Sequence, residues 1–275
     1  MPTISLAAEK IGSLAGFPIT NSLLATWLVM VCLFLFAWGA TRNVSLVPSG
    51  LQSMAELIVG GLYDFFSSVA GHHIKRFFPL VASIFLFIIL ANWMGLLPGF
   101  GTVGFFHTKE IAVVEKTATP EEVKNISMEG ASGTETKAMK EETEFVPLLR
   151  GATADLNTTL ALAVVAVLAI QYFGFSVLGI QYGSKFINFK DPILFGLGIL
   201  ELVSEVSRII SFAFRLFGNI FAGEVLLAVM AFLMPFIVPL PFLMMELFVG
   251  FIQALVFSML TAVFLNLAVS HGEEH

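Results

Sequence analysis

The sequence predicts an all-α membrane protein of about five membrane helices and one further helix lying in the interface, the last two membrane helices being long and strongly tilted. Three observations predict it. Of 275 residues, 57% are hydrophobic and only 12% are charged. Uncharged apolar runs recur along the chain, and ~20 such residues are enough for a helix to cross the ~30 Å hydrocarbon core. The charges that remain collect mostly between those runs, as loops between spans do. The composition is that of one polytopic membrane domain over residues 1–275. A net charge of −6 argues against nucleic-acid binding. The single cysteine, Cys32, supports neither a disulfide nor a metal cluster.

The elements follow in order. Residues before Asn21 lack a basic start, an apolar core and a cleavage site, so the first apolar segment is expected to stay in the protein. Ser22 to Ala40 is uncharged, with Trp27 and Trp38 towards its ends as interface residues, and reads as the first span. Leu51 to Ala70 has helical periodicity but carries Glu56, Asp64 and Gly60-Gly61, and reads as a helix in the interface. His72, His73, Lys75 and Arg76 read as an interfacial basic cluster rather than metal ligands. Phe77 to Leu97 is a strong span that Pro98 and Gly99 are expected to end. Residues 100–150 form the one long polar stretch, expected to be an extramembrane loop with at most short helical pieces. Leu156 to Leu178 is the next span, with Asp155 placed to favour a helix start. Tyr182 to Asp191 reads as a short loop. An apolar run then continues from Pro192 to Pro235, enough for ~60 Å of helix. Pro235, Pro239 and Pro241 suggest a turn, and Phe242 to Ser270 the last helix. The tail from His271 to His275 reads as solvated.

Charge placement sets the expected orientation. With Leu51 to Ala70 lying flat, Arg42, Lys75, Arg76, Lys185 and Lys190 all fall on one side, which the positive-inside rule makes the cytoplasm. The acidic loop then lies outside.

The stretch from Glu201 to Glu224, ELVSEVSRIISFAFRLFGNIFAGE, is the candidate functional element. At ~100° per residue, Glu201, Glu205, Arg208, Arg215 and Asn219 fall within roughly 80° of one another, and Glu224 falls opposite Arg215. Arg215 is flanked by Phe212, Phe214, Leu216 and Phe217. A mid-membrane arginine is expensive and does not deprotonate. It is either structurally paired or part of an ion pathway that meets a partner charge on another chain. Glu246 and Gln253, seven apart, share a face of the last helix, and Glu224 and Glu246 can approach one another across the proline turn. No phosphate-binding loop and no HExxH or GxSxG motif is present, so ATP chemistry and hydrolysis lie elsewhere. A self-contained secondary ion transporter is the alternative, but no internal repeat supports it.

Arg215-Leu216-Phe217-Gly218-Asn219 followed by Ala222-Gly223-Glu224 resembles the signature of subunit a of rotary F-type ATP synthases. Asn92 with Leu96-Leu97-Pro98, then Ala154-Asp155-Leu156-Asn157-Thr158-Thr159, then Gln253 fit the same family in the same order. The resemblance runs from about Leu51 to Ser270. It implies a membrane stator that passes protons through two offset half-channels against a ring of c subunits, each with one essential carboxylate. Peripheral-stalk b subunits, other synthase subunits and the lipid membrane would be its further partners. It implies that Arg215 is the essential arginine and that Asn219 and Gln253 are its polar neighbours. Glu224 and Glu246 would line the outer half-channel, and Glu201 and Ser204 would lie near the cytoplasmic exit. Asn92 and Asp155 complete the implied proton-translocation set. Gly95 stands where some members carry an acid. No cofactor and no catalytic residue is implied, and proton against sodium is left to ligands in the ring. The membrane implied is an energy-transducing one, the bacterial inner membrane.

Overall fold

The computed structural model describes residues 8–14, 16–48, 50–71, 74–97, 99–101, 103–114, 137–183, 186, 192–234 and 237–270. The expectations for His72 and His73, for Pro98, for Lys185 and Lys190, for Pro235 and for the tail from His271 lie outside those residues.

Five helices are long and apolar enough to cross a membrane: α1 (Asn21–Thr41), α3 (Ile74–Gly95), α4 (Leu156–Leu178), α6 (Pro192–Leu233) and α7 (Pro239–Ser270). The chain is a multi-pass membrane protein. A sixth long helix, α2 (Leu51–Ala70), is not among the candidate spans. It carries the two acids and the glycine pair that set it apart in sequence. One short turn of helix, α5 (Ile180–Gly183), stands where a plain loop was expected.

α6 is a continuous helix of 42 residues. At ~1.5 Å per residue that is ~63 Å, twice the hydrocarbon thickness, so it crosses obliquely or extends well beyond the core. Nothing in Ile193 to Leu233 interrupts it, because its four glycines cost little when neighbouring helices cover the backbone.

Three boundaries differ from the sequence reading. α3 begins at Ile74, so Lys75 and Arg76 form its first turn, and it stops at Gly95 rather than Leu97. Arg76 Nη2 donates to Ser176 Oγ at 2.9 Å, and its guanidinium lies over Phe173, which ties the start of α3 to the end of α4. Pro239 and Pro241 sit in the first turn of α7, not in a turn before it. Proline is tolerated there because first-turn N–H groups have no intrahelical acceptor.

The polar stretch is the larger departure. Instead of short helical pieces its described residues form an antiparallel pair of strands, Gly104–Val114 and Lys137–Pro147. A smaller hairpin, Lys10–Leu14 with Phe17–Thr20, precedes α1. In chain order the four strands are β1 (Lys10–Leu14), β2 (Phe17–Thr20), β3 (Gly104–Val114) and β4 (Lys137–Pro147). Gly99 and Gly101, at φ of 119° and 72°, make the reversal between α3 and β3, a backbone region that side chains with a Cβ disfavour.

α3 packs along α7, and α4 packs against both α6 and α7. The shared core holds Phe66, Phe77, Ile88, Leu216, Phe257 and Leu265. Phe212 on α6 stacks obliquely on Phe257 of α7 at 4.9 Å between ring centroids. A turn of 3₁₀ helix, Ala152–Ala154, is buried among α1, α3, α4 and α6. It leads into Asp155, which caps α4 by accepting from the Asn157 N–H at 3.0 Å. The other carboxylate oxygen accepts from Ser22 Oγ at 2.7 Å, which fixes the start of α1 to the start of α4. Asn21 Nδ2 donates to the Pro147 carbonyl beside it.

This double use of Asp155 yields a prediction. Asp155→Ala removes a cap worth ~1 kcal/mol and strands the Ser22 hydroxyl, so the thermal midpoint of the purified protein in detergent falls. Asp155→Asn keeps the capping oxygen and loses less. Equal melting of the native protein and Asp155→Ala would remove the capping role.

Candidate functional site

Three polar clusters lie along α6. Near its start, Arg208 Nη1 donates to both oxygens of Glu205, at 2.7 and 2.8 Å, and the guanidinium lies 4.0 Å from the centre of the Phe264 ring. The arginine therefore meets a carboxylate on its own helix and an aromatic face on α7. Tyr182 stands next to this pair. Burial pushes its phenol up to about 12, and Glu205 adds to the rise. Glu205 is buried, Glu201 half-buried and Ser204 exposed.

At mid-helix, Arg215 is exposed. Its nearest polar partner is Ser211, whose hydroxyl oxygen accepts from Nη2 at 3.4 Å, and among the described residues no carboxylate pairs with it. Ser204, Ser207, Ser211, Gly218 and Ala222 are exposed along the same helix. Successive members are three to seven positions apart, so they lie close to one face. That face is small and polar, with one guanidinium in its middle. The opposite face, through Phe212, Ala213, Leu216 and Phe217, is buried in the bundle. One turn beyond Arg215, Asn219 Nδ2 donates to Gln253 Oε1 of α7 at 2.7 Å. Gln253 is buried, and its Nε2 has no partner among the described residues.

Towards the end of α6 lies a cavity of about 560 Å³, walled by α3, α6, α7 and the segment before α4. Its polar lining is Asn92, Arg150, Thr153, Glu224 and Glu246. Asn92 Nδ2 donates to the Gly250 carbonyl at 3.0 Å, and Asn92 Oδ1 accepts from Thr153 Oγ1 at 2.7 Å. Gly250 allows this approach: a Cβ there would stand 3.1 Å from the Asn92 Cβ. Arg150 Nη2 and Nε donate to Glu224 Oε2 at 3.2 and 3.4 Å. Glu246 is 5% exposed, and its Oε1 lacks a partner among the described residues. Its carboxylate lies against Gly223, where an added Cβ would overlap it. Gly95 also lines the cavity, and a Cβ there would come within 3.3 Å of the Gly151 backbone.

The structure thus brings Glu224, Glu246 and Asn92 to one cavity and joins Asn219 to Gln253. It sets Glu201, Ser204 and Glu205 at the other end of α6. Asp155 lies in the adjoining scaffold, and it does not line the cavity. Sequence reasoning missed Arg150, Thr153 and Gly223. Arg150 closes a charged stretch and passed as one more loop charge; its position just before the α4 cap was the available signal.

The model of the family described as ATP synthase A chain matches residues 23–266. The chain belongs to the ATP synthase subunit a family. ATP synthase subunit a of Citrifermentans bemidjiense is 33% identical over 255 residues, covering 92% of this chain and 89% of that one. The subunit a of Gloeobacter violaceus is 33% identical over 260 residues, covering 93% and 86%. That of Syntrophobacter fumaroxidans is 28% identical over 268 residues, covering 96% and 90%. Similarity at this level spans nearly the whole chain, so the helices that carry the three clusters belong to the shared framework of the family.

Contact between Gly223 and Glu246 can be tested directly. Gly223→Ala displaces the Glu246 carboxylate, so proton flow through the assembled complex, read by dye quenching in vesicles, should fall several-fold. Gly60→Ala, where an added Cβ meets nothing within 4 Å, serves as the control and should leave flow unchanged. Native flow in Gly223→Ala would show that the Glu246 position is unimportant.

Proposed function

We propose that this chain is the non-catalytic, proton-conducting stator of an F-type ATP synthase, working against a rotating ring of c subunits. One observation carries the reading: Arg215 is exposed at the middle of an apolar helix, on a face of small residues, with no carboxylate partner of its own among the described residues. An unpaired guanidinium at that depth is costly. A small-residue face lets another helix come close. A carboxylate carried past on such a helix meets the guanidinium and releases its proton, because the neighbouring positive charge favours the ionised form.

The cavity with Glu224, Glu246 and Asn92 is the half-channel on the outer side. Gln253 and Asn219 continue its polar lining towards Arg215. Glu201, Ser204 and Glu205 line the exit on the cytoplasmic side, where Arg42, Lys75 and Arg76 also lie. Asp155 serves this path by holding the cavity wall. Arg215 separates the two half-channels, since a proton does not pass a permanent guanidinium easily, and so proton flow must go by way of the ring. The carried ion is taken as the proton. The whole chain is one membrane domain, with the hairpin of residues 100–150 outside the bilayer. Peripheral-stalk b subunits and the remaining synthase subunits are its other partners, and the membrane is the bacterial inner membrane. ATP chemistry resides on those other subunits.

Arg215→Ala tests the reading. In vesicles carrying the assembled complex, ATP-driven proton pumping and proton-driven ATP synthesis should both drop to background. Arg215→Lys should not restore them, because a lysine can lose its proton when desolvated. Coupled turnover at the native rate in Arg215→Ala would refute the assignment.

A further inference from the structure

We propose that Thr153 is a positioning residue of the cavity: through the Asn92 amide it holds α3 to the turn of α7 that carries Glu246. The inference rests on the half-channel reading above and gives a role to a residue outside its charged groups.

Hydrogen-bond chemistry fixes the direction of the chain. Gly250 offers a carbonyl, which only accepts, so the Asn92 group that meets it at 3.0 Å is the NH₂. The amide oxygen of Asn92 is thereby turned to Thr153, 2.7 Å away, and it too only accepts. The Thr153 hydroxyl is left as the donor. Reversing the amide would set two oxygens against each other at Gly250 and lose that bond. The hydroxyl is what holds the amide in the orientation that reaches α7.

Each side chain in the chain is buried, Thr153 at 1% exposure and Asn92 at 3%. Thr153 stands in the 3₁₀ turn that packs among α1, α3, α4 and α6, so its hydroxyl is presented from a fixed place. Gly250 has no side chain to keep Asn92 off the α7 backbone. The next residue of α3 makes a second contact beside the first: Trp93 Nε1 donates to the Leu247 carbonyl at 3.1 Å. Leu247 directly follows Glu246, and Gly250 lies about one turn beyond it. Two consecutive side chains of α3 thus grip the backbone of α7 at the Glu246 turn. The register there is tight, since Glu246 is 5% exposed and its carboxylate lies against Gly223 of α6. A slide of α7 along α3 would carry that carboxylate away from its place in the cavity wall. Thr153 acts on Glu246 through Asn92 and the α7 backbone, without touching it.

The experiment uses the whole ATP synthase in vesicles, with ATP-driven proton pumping and passive proton flow expressed per assembled complex. Thr153→Val keeps the branched shape, removes the hydroxyl and leaves the Asn92 oxygen buried without a donor, so flow per complex should fall about five-fold. Thr153→Ser restores the hydroxyl and should recover at least about half of the lost rate. In an Asn92→Leu background the group to be oriented is gone, and adding Thr153→Val should cost less than about two-fold more. The same small further loss is expected in a Glu246→Gln background. Native flow per complex in Thr153→Val, no recovery in Thr153→Ser, or full additivity in either background overturns the inference. If Thr153→Val does not assemble, Asn92→Leu is compared with Asn92→Leu plus Thr153→Val, which strands no polar atom: equal flow supports the role and a further five-fold loss overturns it. Failure of these outcomes while Arg215→Ala still abolishes coupling removes only the role of Thr153; native coupling in Arg215→Ala removes the half-channel reading itself.

Discussion

A guanidinium that cannot lose its proton, set in the middle of an apolar helix, is the constraint to which the rest of the molecule answers. The chain contains five arginines, at 42, 76, 150, 208 and 215. Arg42 lies over Trp38 just past the end of α1, and Arg76 is in the first turn of α3. Both sit at helix ends, where charge can reach water. Arg150 and Arg208 each meet a carboxylate. Arg215 is deep in α6 and, among the described residues, has a single long contact to a serine hydroxyl. The difference is not one of amino-acid type but of what the fold brings near. Glu224 is on the same helix and falls almost opposite, and Glu205 is already held by Arg208. The helix geometry that aligns Arg215 with Ser211 and Asn219 is the geometry that keeps its own acids away.

The surrounding bundle is built so that other polar groups do not compete for that charge. Within hydrocarbon, an unsatisfied polar group costs several kcal/mol, and side chains find partners across helices. Asn92 bridges α7 and the turn before α4, the Trp93 indole donates to the Leu247 carbonyl, and Asn219 meets Gln253. Each bond joins different elements, and the glycine at 250 lets Asn92 come close enough to α7 to make its bond there. Glu246 Oε1 and Gln253 Nε2 remain buried without protein partners among the described residues. They lie on one face of α7, facing the cavity and the Asn219 contact. Unspent hydrogen-bonding capacity in that position suits a path whose hydrogen bonds must be remade as protons pass.

Most of the helical framework was legible in the sequence because membrane spans announce themselves by length and lack of charge. α4 matches its expected bounds, and the unbroken length of α6 follows from the absence of any proline between Pro192 and Pro235. The ends were less legible. Lys75 and Arg76 look like loop residues in a composition window, yet a helix end at the interface tolerates them. The hairpin of β3 and β4 was hidden because strand pairing between Gly104 and Pro147 is a non-local event, whereas helical periodicity is local. In the site, Arg215, Glu224 and Glu246 stood out as charges in apolar runs. Arg150 did not, since it closes a polar stretch and is buried by the tertiary packing rather than set in an apolar run.

The distribution of charge along α6 sets its centre apart from its ends. α6 carries one ion pair near its start, Glu205 with Arg208, and meets another near its finish, where Glu224 faces Arg150 and Glu246 is a further carboxylate. A neutral pair projects a field that falls off faster than that of a single ion, and water at either mouth weakens it further. Arg215 has no carboxylate partner among the described residues, so a negative group approaching the exposed face is drawn to it. Pairing of Arg208 and Arg150 with acids is what leaves Arg215 as the charge open to an incoming carboxylate.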